Sequence, residues 1–206
     1  MNRGRFIVLE GPDRVGKSTQ VERLAEVLDA VATREPGGTA LGAEVRALLL
    51  DHRSDGLDPR AEALLMAADR SLHVAEVVRP ALAAGRHVVS DRYLFSSVAY
   101  QGAGRGLGED RVRDLSLWAV GDLVPDLVVL LDAGDDPLTA RRPGDGDRLE
   151  RAGGDFFARV GASYRRQAAA DPARWVVVDA RADVEVVHRA VLAAVVDRLR
   201  ITVERS

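Results

Sequence analysis

The feature that most constrains the fold is a short apolar run followed by a glycine-containing loop and an amphipathic helix. The run "FIVLE" (Phe6–Glu10) has the continuous apolar character of a buried strand. The loop "GPDRVGKST" comes next, and "VERLAEVL" then repeats apolar residues at steps of three and four. A strand, loop and helix in this order are typical of a loop that binds phosphate groups.

The loop matches the pattern G-x-x-x-x-G-K-[ST] at Gly11, Gly16, Lys17 and Ser18. The glycines allow backbone N–H groups to turn toward a phosphate, and the start of the helix adds partial positive charge. Lys17 is the only lysine in the sequence. A compact ammonium fits between two phosphates, whereas a guanidinium is wider and binds as a planar fork.

A phosphate loop alone does not identify a reaction, because GTPases, motors, kinases and regulatory ATPases all use one. With Lys17 as its single lysine, the chain cannot contain the N-K-x-D motif that reads guanine in switch GTPases. This makes a switch GTPase an unfavourable interpretation.

Composition narrows the class of protein further. A chain of 206 residues with a formal net charge of -3 favours neither a general nucleic-acid binder nor a membrane-surface binder. The absence of cysteine excludes disulfides, a thiolate nucleophile and a cysteine-based zinc site. No apolar stretch is long enough to span a membrane and no signal peptide is recognisable, so we expect a soluble, cytoplasmic protein.

Short apolar runs alternate with helical segments along the rest of the chain. Further strands are predicted at His87–Asp91, Leu127–Asp132 and Trp175–Ala180, and a weaker one at Asp29–Thr33. This alternation predicts an α/β fold with a parallel sheet covered by helices on both faces and ligands bound beyond the carboxyl ends of the strands. The polar stretch "RRPGDGDRLERAGGD", residues 141–155, is predicted to be a mobile segment.

Charged residues follow the strand "HVVSD" directly, in "DRYLFSSVAYQG". Asp91, at a strand end that faces the phosphate loop, is placed to hold Mg²⁺ directly or through water. Arg92 could bind a second phosphate by a bidentate pair. The alternative is that Asp91 and Arg92 form only a structural ion pair with each other.

Two further segments are candidates for a binding site. The turn "TREPGGT" (Thr33–Thr39) carries two charges beside a proline, although it could be a simple connection. Met66, Arg70 and His73 share one face of a helix by their spacing. Arg70 in this mostly apolar stripe needs a partner, which could be a ligand or a carboxylate in a surface ion pair.

Taken together, these motifs resemble bacterial thymidylate kinases. "GPDRVGKST", "TREPGGT", "DRYLFSSVAYQG", "DRLE", "FFARVGASY" and "VVVDA" occur in the order and spacing of that family, over nearly the entire chain. The resemblance implies one domain over residues 1–206, with a three-layer P-loop NTPase fold, a five-stranded parallel sheet flanked by helices, and a short mobile lid at residues 141–155. It also implies transfer of the γ-phosphoryl group of ATP to dTMP, with Mg²⁺, by a cytoplasmic homodimer.

The resemblance also assigns expected roles to individual residues. The ATP-binding residues are Gly11, Pro12, Asp13, Arg14, Val15, Gly16, Lys17, Ser18 and Thr19, and the metal is expected at Ser18 and Asp91. The dTMP-binding residues are Asp13, Glu35, Arg46, Met66, Arg70, Arg92, Ser97, Tyr100 and Gln101. The catalytic residues are Arg14, Lys17, Asp91, Arg92 and Arg148.

Within this set, Arg92 and Arg46 are expected on the dTMP phosphate and Arg70 on a thymine carbonyl. Ser97 and Gln101 are expected at the base edge.

Two positions leave the expected roles open. Arg14 in the loop and Arg148 in the lid both qualify as the arginine that contacts the transferring phosphoryl group, and a lid arginine could also have no catalytic part. Met66 occupies a position where the family usually has an aromatic ring that stacks on thymine. Because methionine is more adaptable, we expect weaker thymine binding or another side chain over the base.

Two rival interpretations remain. A kinase for another acceptor, such as adenylate, cytidylate or a deoxynucleoside, is disfavoured by the family-specific acceptor motifs. A nucleotide-binding regulator without catalysis would be expected to have lost Lys17, Asp91 or Arg92, and all three are present.

Overall fold

The computed structural model describes residues 3–51, 54–134 and 153–202. They contain a five-stranded, fully parallel sheet with the order β2-β3-β1-β4-β5. The strands are β1 (Phe6–Glu10), β2 (Val31–Arg34), β3 (Val88–Asp91), β4 (Leu127–Asp132) and β5 (Trp175–Asp179). The α/β class and the parallel sheet are as predicted.

Helices connect the strands. They are α1 (Lys17–Leu28), α2 (Ala40–Leu50), α3 (Pro59–His73), α4 (Arg79–Ala83), α5 (Leu94–Ser97), α6 (Glu109–Val120), α7 (Gly154–Ala170) and α8 (Val184–Leu199). Two segments have the wider π-helical form, Val74–Val78 between α3 and α4 and Val98–Gly104 after α5. Such segments are rare and often occur at functional sites.

The predicted boundaries of three strands were wrong by one or two residues. β2 covers Val31–Arg34 rather than Asp29–Thr33, because Asp29 ends α1 in a left-handed conformation with its N–H bonded back to the helix. β3 begins at Val88 and β5 ends at Asp179. In the predicted lid, residues 141–152 lie outside the described residues, whereas Gly154 and Asp155 belong to the first turn of α7.

The sheet separates two apolar layers, as the side chains of its central strand show. Phe6 and Val8 face a core with the π-helical segments and α7, whereas Ile7 and Leu9 face a core with α1 and α8. All four side chains are fully buried. Because β1 is covered on both faces, its sequence is an uninterrupted apolar run rather than an alternating one.

The topology brings the candidate residues to one edge of the sheet. Parallel register aligns Leu9 of β1 with Asp91 of β3, and Asp91 with Arg34 of β2. The phosphate loop, the turn after β2 and the turn after β3 therefore emerge side by side. Among the described residues, no helix is long and apolar enough to cross a membrane.

Candidate active site

The phosphate loop joins the central strand β1 to α1. Gly11 has a φ of 140°, and a Cβ there would lie 2.4 Å from the carbonyl oxygen of Leu131. Gly16 has a φ of 90° at the N-cap of α1. Both positions require a glycine, and together they leave the backbone curled at the start of the helix.

Lys17 is buried within this loop. Its Nζ donates a hydrogen bond to the carbonyl oxygen of Pro12. Burial, followed by repulsion from the Arg92 guanidinium, lowers the pKa of Lys17 to about 8. The ammonium is thus held where further negative charge would be favourable.

Ser18 and Asp91 form the candidate metal site. Ser18 Oγ donates to Asp91 Oδ2 over 2.6 Å. Asp91 Oδ1 is buried and accepts no hydrogen bond from any described residue. One carboxylate and one hydroxyl suit Mg²⁺, which keeps several waters and binds substrate phosphates rather than entering an all-protein cage. The described residues contain no cluster of three or more His, Cys, Asp or Glu side chains that could hold a metal.

Arg92 lies between the loop and the second half of the site. Its Nη1 donates to the Gly11 carbonyl over 2.9 Å, and its Nη2 forms an ion pair with Asp13. The Tyr100 hydroxyl donates to the other oxygen of Asp13 over 2.7 Å and accepts from Arg92 over 3.2 Å. The alternative of an Asp91–Arg92 ion pair is therefore wrong, since Arg92 pairs with Asp13 and Asp91 bonds to Ser18.

A second carboxylate, that of Glu10, is linked to Arg92 through two hydroxyl groups. Glu10 is fully buried at the end of β1 and accepts hydrogen bonds from the backbone N–H groups of Tyr93, at 2.9 Å, and Ser96, at 3.2 Å. It also accepts from two hydroxyl groups, that of Ser96 at 2.6 Å and that of Tyr164 at 3.1 Å. Those two hydroxyl oxygens each accept from Arg92 Nη1 at 3.0 Å. Glu10 thus fixes the turn after β3 and, through two hydroxyls, the guanidinium.

A polar cleft of ≈ 330 Å³ and a more apolar cavity of ≈ 80 Å³ adjoin at this point. Asp13, Glu35, Arg46 and Arg92 line both. The cleft also contains Arg14, Lys17, Ser18, Thr19 and Asp91, whereas the cavity contains Met66, Arg70, Ser97, Tyr100 and Gln101. A ligand group at the junction would meet residues from both halves of the site.

Arg70 closes one side of the cavity. Its Nε donates to Glu35 Oε2 over 2.7 Å and its Nη2 to the Ser97 hydroxyl over 2.9 Å. His73 bonds to the other Glu35 oxygen over 2.7 Å. The predicted shared face of Met66, Arg70 and His73 is confirmed, since all three are buried. The alternative of a surface ion pair was wrong, because both Arg70 and Glu35 are almost fully buried.

The remaining predicted residues differ in how closely the fold brings them to this junction. Arg46 Nη1 donates to the Pro36 carbonyl over 3.0 Å, and the turn "TREPGGT" contributes lining residues to both the cleft and the cavity. Arg14 is exposed in the cleft with a φ of 64°. Pro12 and Val15 are loop residues outside the lining of both spaces. Arg148 lies outside the described residues.

Three contributors had no role assigned to them from the sequence. Arg34 lines the cleft and, within the described residues, forms no side-chain hydrogen bond or ion pair. Its position at a strand end, directly before Glu35, was a usable signal. Glu10 could have been noticed as a charged residue at the end of an apolar strand. Asp69 Oδ1 accepts from the Gly37 N–H over 3.0 Å and steadies the same turn, but its spacing gave no signal.

Glu10 predicts an unusual pH dependence of stability. Burial raises its pKa to about 7, although the Ser96 hydroxyl and Arg92 act in the opposite direction. Between pH 4.5 and 7 the folded chain keeps a proton that the unfolded chain releases, so this group's stabilisation is lost as the pH rises through 7. The free energy of unfolding of the wild type, minus that of Glu10→Gln, can be measured by urea unfolding at each pH. This difference should fall by about 2–3 kcal/mol between pH 5 and pH 8. Because the other titratable groups are the same in both proteins, the difference isolates Glu10. A difference that rises with pH would contradict a raised pKa of Glu10.

Comparison with known proteins is consistent with this geometry. The family model for thymidylate kinase matches residues 9–191. A thymidylate kinase of Leifsonia xyli subsp. xyli is 56% identical over 192 residues, 88% of this chain and 90% of that protein. One of Bifidobacterium longum strain DJO10A is 50% identical over 199 residues, 91% and 95% of the two chains.

A solved structure shares the architecture as well. The crystal structure of thymidylate kinase from Ehrlichia chaffeensis superposes with a TM-score of 0.79 at 30% identity, covering 94% of this chain and 99% of that one. Phosphorylation of dTMP to dTDP is the activity of the family. From the matched phosphate loop, the adjoining cavity and these relatives, we conclude that the chain is an enzyme of the thymidylate kinase family.

Proposed function

We propose that this chain transfers the γ-phosphoryl group of ATP to dTMP at the junction of the polar cleft and the cavity. The observation that carries the proposal is that Asp13 and Arg92 line both spaces and are bonded to each other. The donor phosphates would lie on the phosphate loop, and the acceptor phosphate would meet Arg92 and Arg46. The two substrates would then face each other across residues held by one hydrogen-bond network.

The residues of the cleft suit phosphoryl transfer by positioning and charge. An oxygen of the dTMP phosphate attacks the γ-phosphorus, a new P–O bond forms, and the bond to the β-phosphate oxygen breaks to release ADP. Lys17 and the loop N–H groups neutralise the donor phosphates, and Arg92 holds the acceptor. The acceptor phosphate already carries negative charge at neutral pH, so the site needs no strong general base.

Mg²⁺ is proposed at Ser18 and Asp91, where the unpartnered Asp91 Oδ1 supports the assignment. Bound there, Mg²⁺ would supply positive charge to the donor phosphates. Ser18 would orient it from the first turn of α1, and Asp91 from the end of β3.

Arg14 and Arg148 are proposed as the arginines that stabilise charge on the transferring phosphoryl group. Arg14 is supported by its exposed position in the cleft, three residues before Lys17. Arg148 is supported only by the sequence pattern "DRLE".

The cavity is proposed to hold the nucleoside. Arg70 would donate to a thymine carbonyl, and Ser97 and Gln101 would lie at the base edge. Tyr100 would pack near C2′ of the sugar, where a ribose hydroxyl would be disfavoured. Met66, which lines the cavity, would cover the base in place of the usual aromatic ring. Glu35 would act on the substrate through Arg70, to which it is bonded.

A coupled assay of ADP release tests this function directly. With ATP and a panel of nucleoside monophosphates, we expect dTMP to give the highest kcat/KM. The reason is that the donors of Arg70 and the shape of the cavity match a pyrimidine that carries carbonyl groups. Activity with AMP or CMP but not with dTMP would contradict the proposal.

We further propose that residues 1–206 form one domain and that the protein is a cytoplasmic homodimer. The apolar residues Leu48, Leu64 and Trp118 are 52%, 58% and 82% exposed. They lie on α2, α3 and α6, and α3 packs against both of the other helices. Neighbouring helices that expose large apolar side chains are typical of a protein interface.

Substitution at this face should separate the subunits. Trp118→Glu is expected to convert the protein to a monomer, because a charge cannot be buried unpaired between two copies. Sedimentation velocity would show the mass of one chain, 22.2 kDa. Val177→Glu on β5, which is 54% exposed, is the matched control and should remain dimeric. Equal masses for wild type and Trp118→Glu would contradict the proposed face.

A further inference from the structure

A fully buried carboxylate lies behind the cavity rather than in its lining. Glu62, in the first turn of α3, is 0% exposed and does not line the cavity that contains Gln101. Gln101 Nε2 donates to Glu62 Oε1 over 2.8 Å. The contact joins α3 to the π-helical segment Val98–Gly104, across 39 positions of sequence.

The charge of Glu62 is balanced by Arg105. Arg105 Nε lies 3.3 Å from Glu62 Oε1, and Arg105 Nη2 lies 3.2 Å from Glu62 Oε2. The guanidinium carbon of Arg105 also lies 4.9 Å from the centre of the Phe156 ring. Both oxygens of Glu62 therefore accept from N–H donors, as a carboxylate paired with a guanidinium does.

This pairing decides which way the Gln101 amide faces. An amide offers two N–H donors at one end and an acceptor oxygen at the other. Because Glu62 can only accept, the NH₂ end must turn toward it, and Oε1 is left for the cavity. No described residue donates a hydrogen bond to Gln101 Oε1.

An acceptor at this point discriminates between pyrimidines. The ring N3 of thymine carries a proton and donates, whereas N3 of cytosine has a lone pair and accepts. Two acceptors facing each other in a buried site lose a hydrogen bond and repel, which is a strong basis for rejecting the wrong ligand. The donors of Arg70 also favour thymine over cytosine, since they match a carbonyl and not an exocyclic amine.

We infer that Glu62 is a specificity-determining positioning residue, which holds the Gln101 amide with its oxygen toward the base and thereby favours thymine over cytosine. The inference rests on the proposed function, because it requires the base to lie at Gln101. Glu62 itself touches no substrate and acts only through the orientation of Gln101.

The test is the ratio of kcat/KM for dTMP to kcat/KM for dCMP in wild type and Glu62→Gln. The new amide can donate to Gln101 Oε1, so the Gln101 NH₂ can turn to the cavity and donate to N3 of cytosine. We expect the ratio to fall by at least about tenfold. Glu109→Gln is the matched control, since Glu109 pairs with Arg166 at the surface, and it should keep the wild-type ratio.

A double-mutant cycle separates this role from a general structural one. In a Gln101→Leu background, Glu62→Gln should leave the ratio unchanged, because no amide remains to be turned. An unchanged ratio in Glu62→Gln alone, or an equal fall in the Gln101→Leu background, would overturn the inference. Wild type that does not prefer dTMP over dCMP would instead contradict the proposed function.

Folding is checked separately by thermal unfolding of each variant. Glu62→Gln leaves Arg105 without its carboxylate, so the variant Glu62→Gln/Arg105→Gln removes both charges together. It gives the Gln101 amide the same freedom and should show the same fall in the ratio. A wild-type ratio in this folded double variant would also overturn the inference.

Discussion

The rest of the site depends on the hydrogen bonds made by the guanidinium of Arg92. It bonds to the carbonyl of Gly11 and pairs with Asp13, which fixes it to the phosphate loop. It also bonds to the hydroxyls of Ser96, Tyr100 and Tyr164, which come from three different helical segments. The Nη1 and Nη2 groups reach all five partners at once, with three acceptors sharing the two hydrogens of Nη1, whereas an ammonium has only three N–H donors. Arg92 therefore fixes the phosphate loop relative to the helical segments that line the cavity.

Two carboxylates in different environments lie near the positive charge of Arg92. Asp13 faces the site, and although burial opposes its ionisation, Arg92 and Lys17 hold its pKa below the ordinary value. Glu10 is deeper and reaches Arg92 only through hydroxyl groups, and burial raises its pKa to about 7. Arg92, Arg46 and Lys17 thus place several cations around one small volume. Two polyanionic substrates would complete this balance, so the geometry is suited to bringing phosphates together.

Local patterns predicted the parts of the structure that depend on neighbouring residues. Strands β1 and β4 agree with the sequence prediction because each is a continuous apolar run. The phosphate loop was also predictable, because its glycines occupy positions where the local backbone has a positive φ. The start of β2 was not, because the left-handed end of α1 at Asp29 depends on how the chain turns there.

Pairings between distant residues could not be predicted in this way. Glu10 meets Ser96 across 86 positions, and Glu62 meets Arg105 across 43. Nothing in the local pattern around either carboxylate indicates its partner, since the sheet and the π-helical segments bring them together. Similarity to a family identified residues that line the cleft and the cavity, whereas the residues behind them emerged only from the folded structure.

Arg92 is proposed to hold the acceptor phosphate, and calorimetric titration of dTMP and thymidine tests this role most directly. Wild type and Arg92→Met would each be titrated with both ligands, which differ only in the phosphate. We predict that Arg92→Met weakens dTMP binding by at least about tenfold more than it weakens thymidine binding. An equal loss for both ligands would contradict it, because Arg92 would then shape the cavity without binding the phosphate.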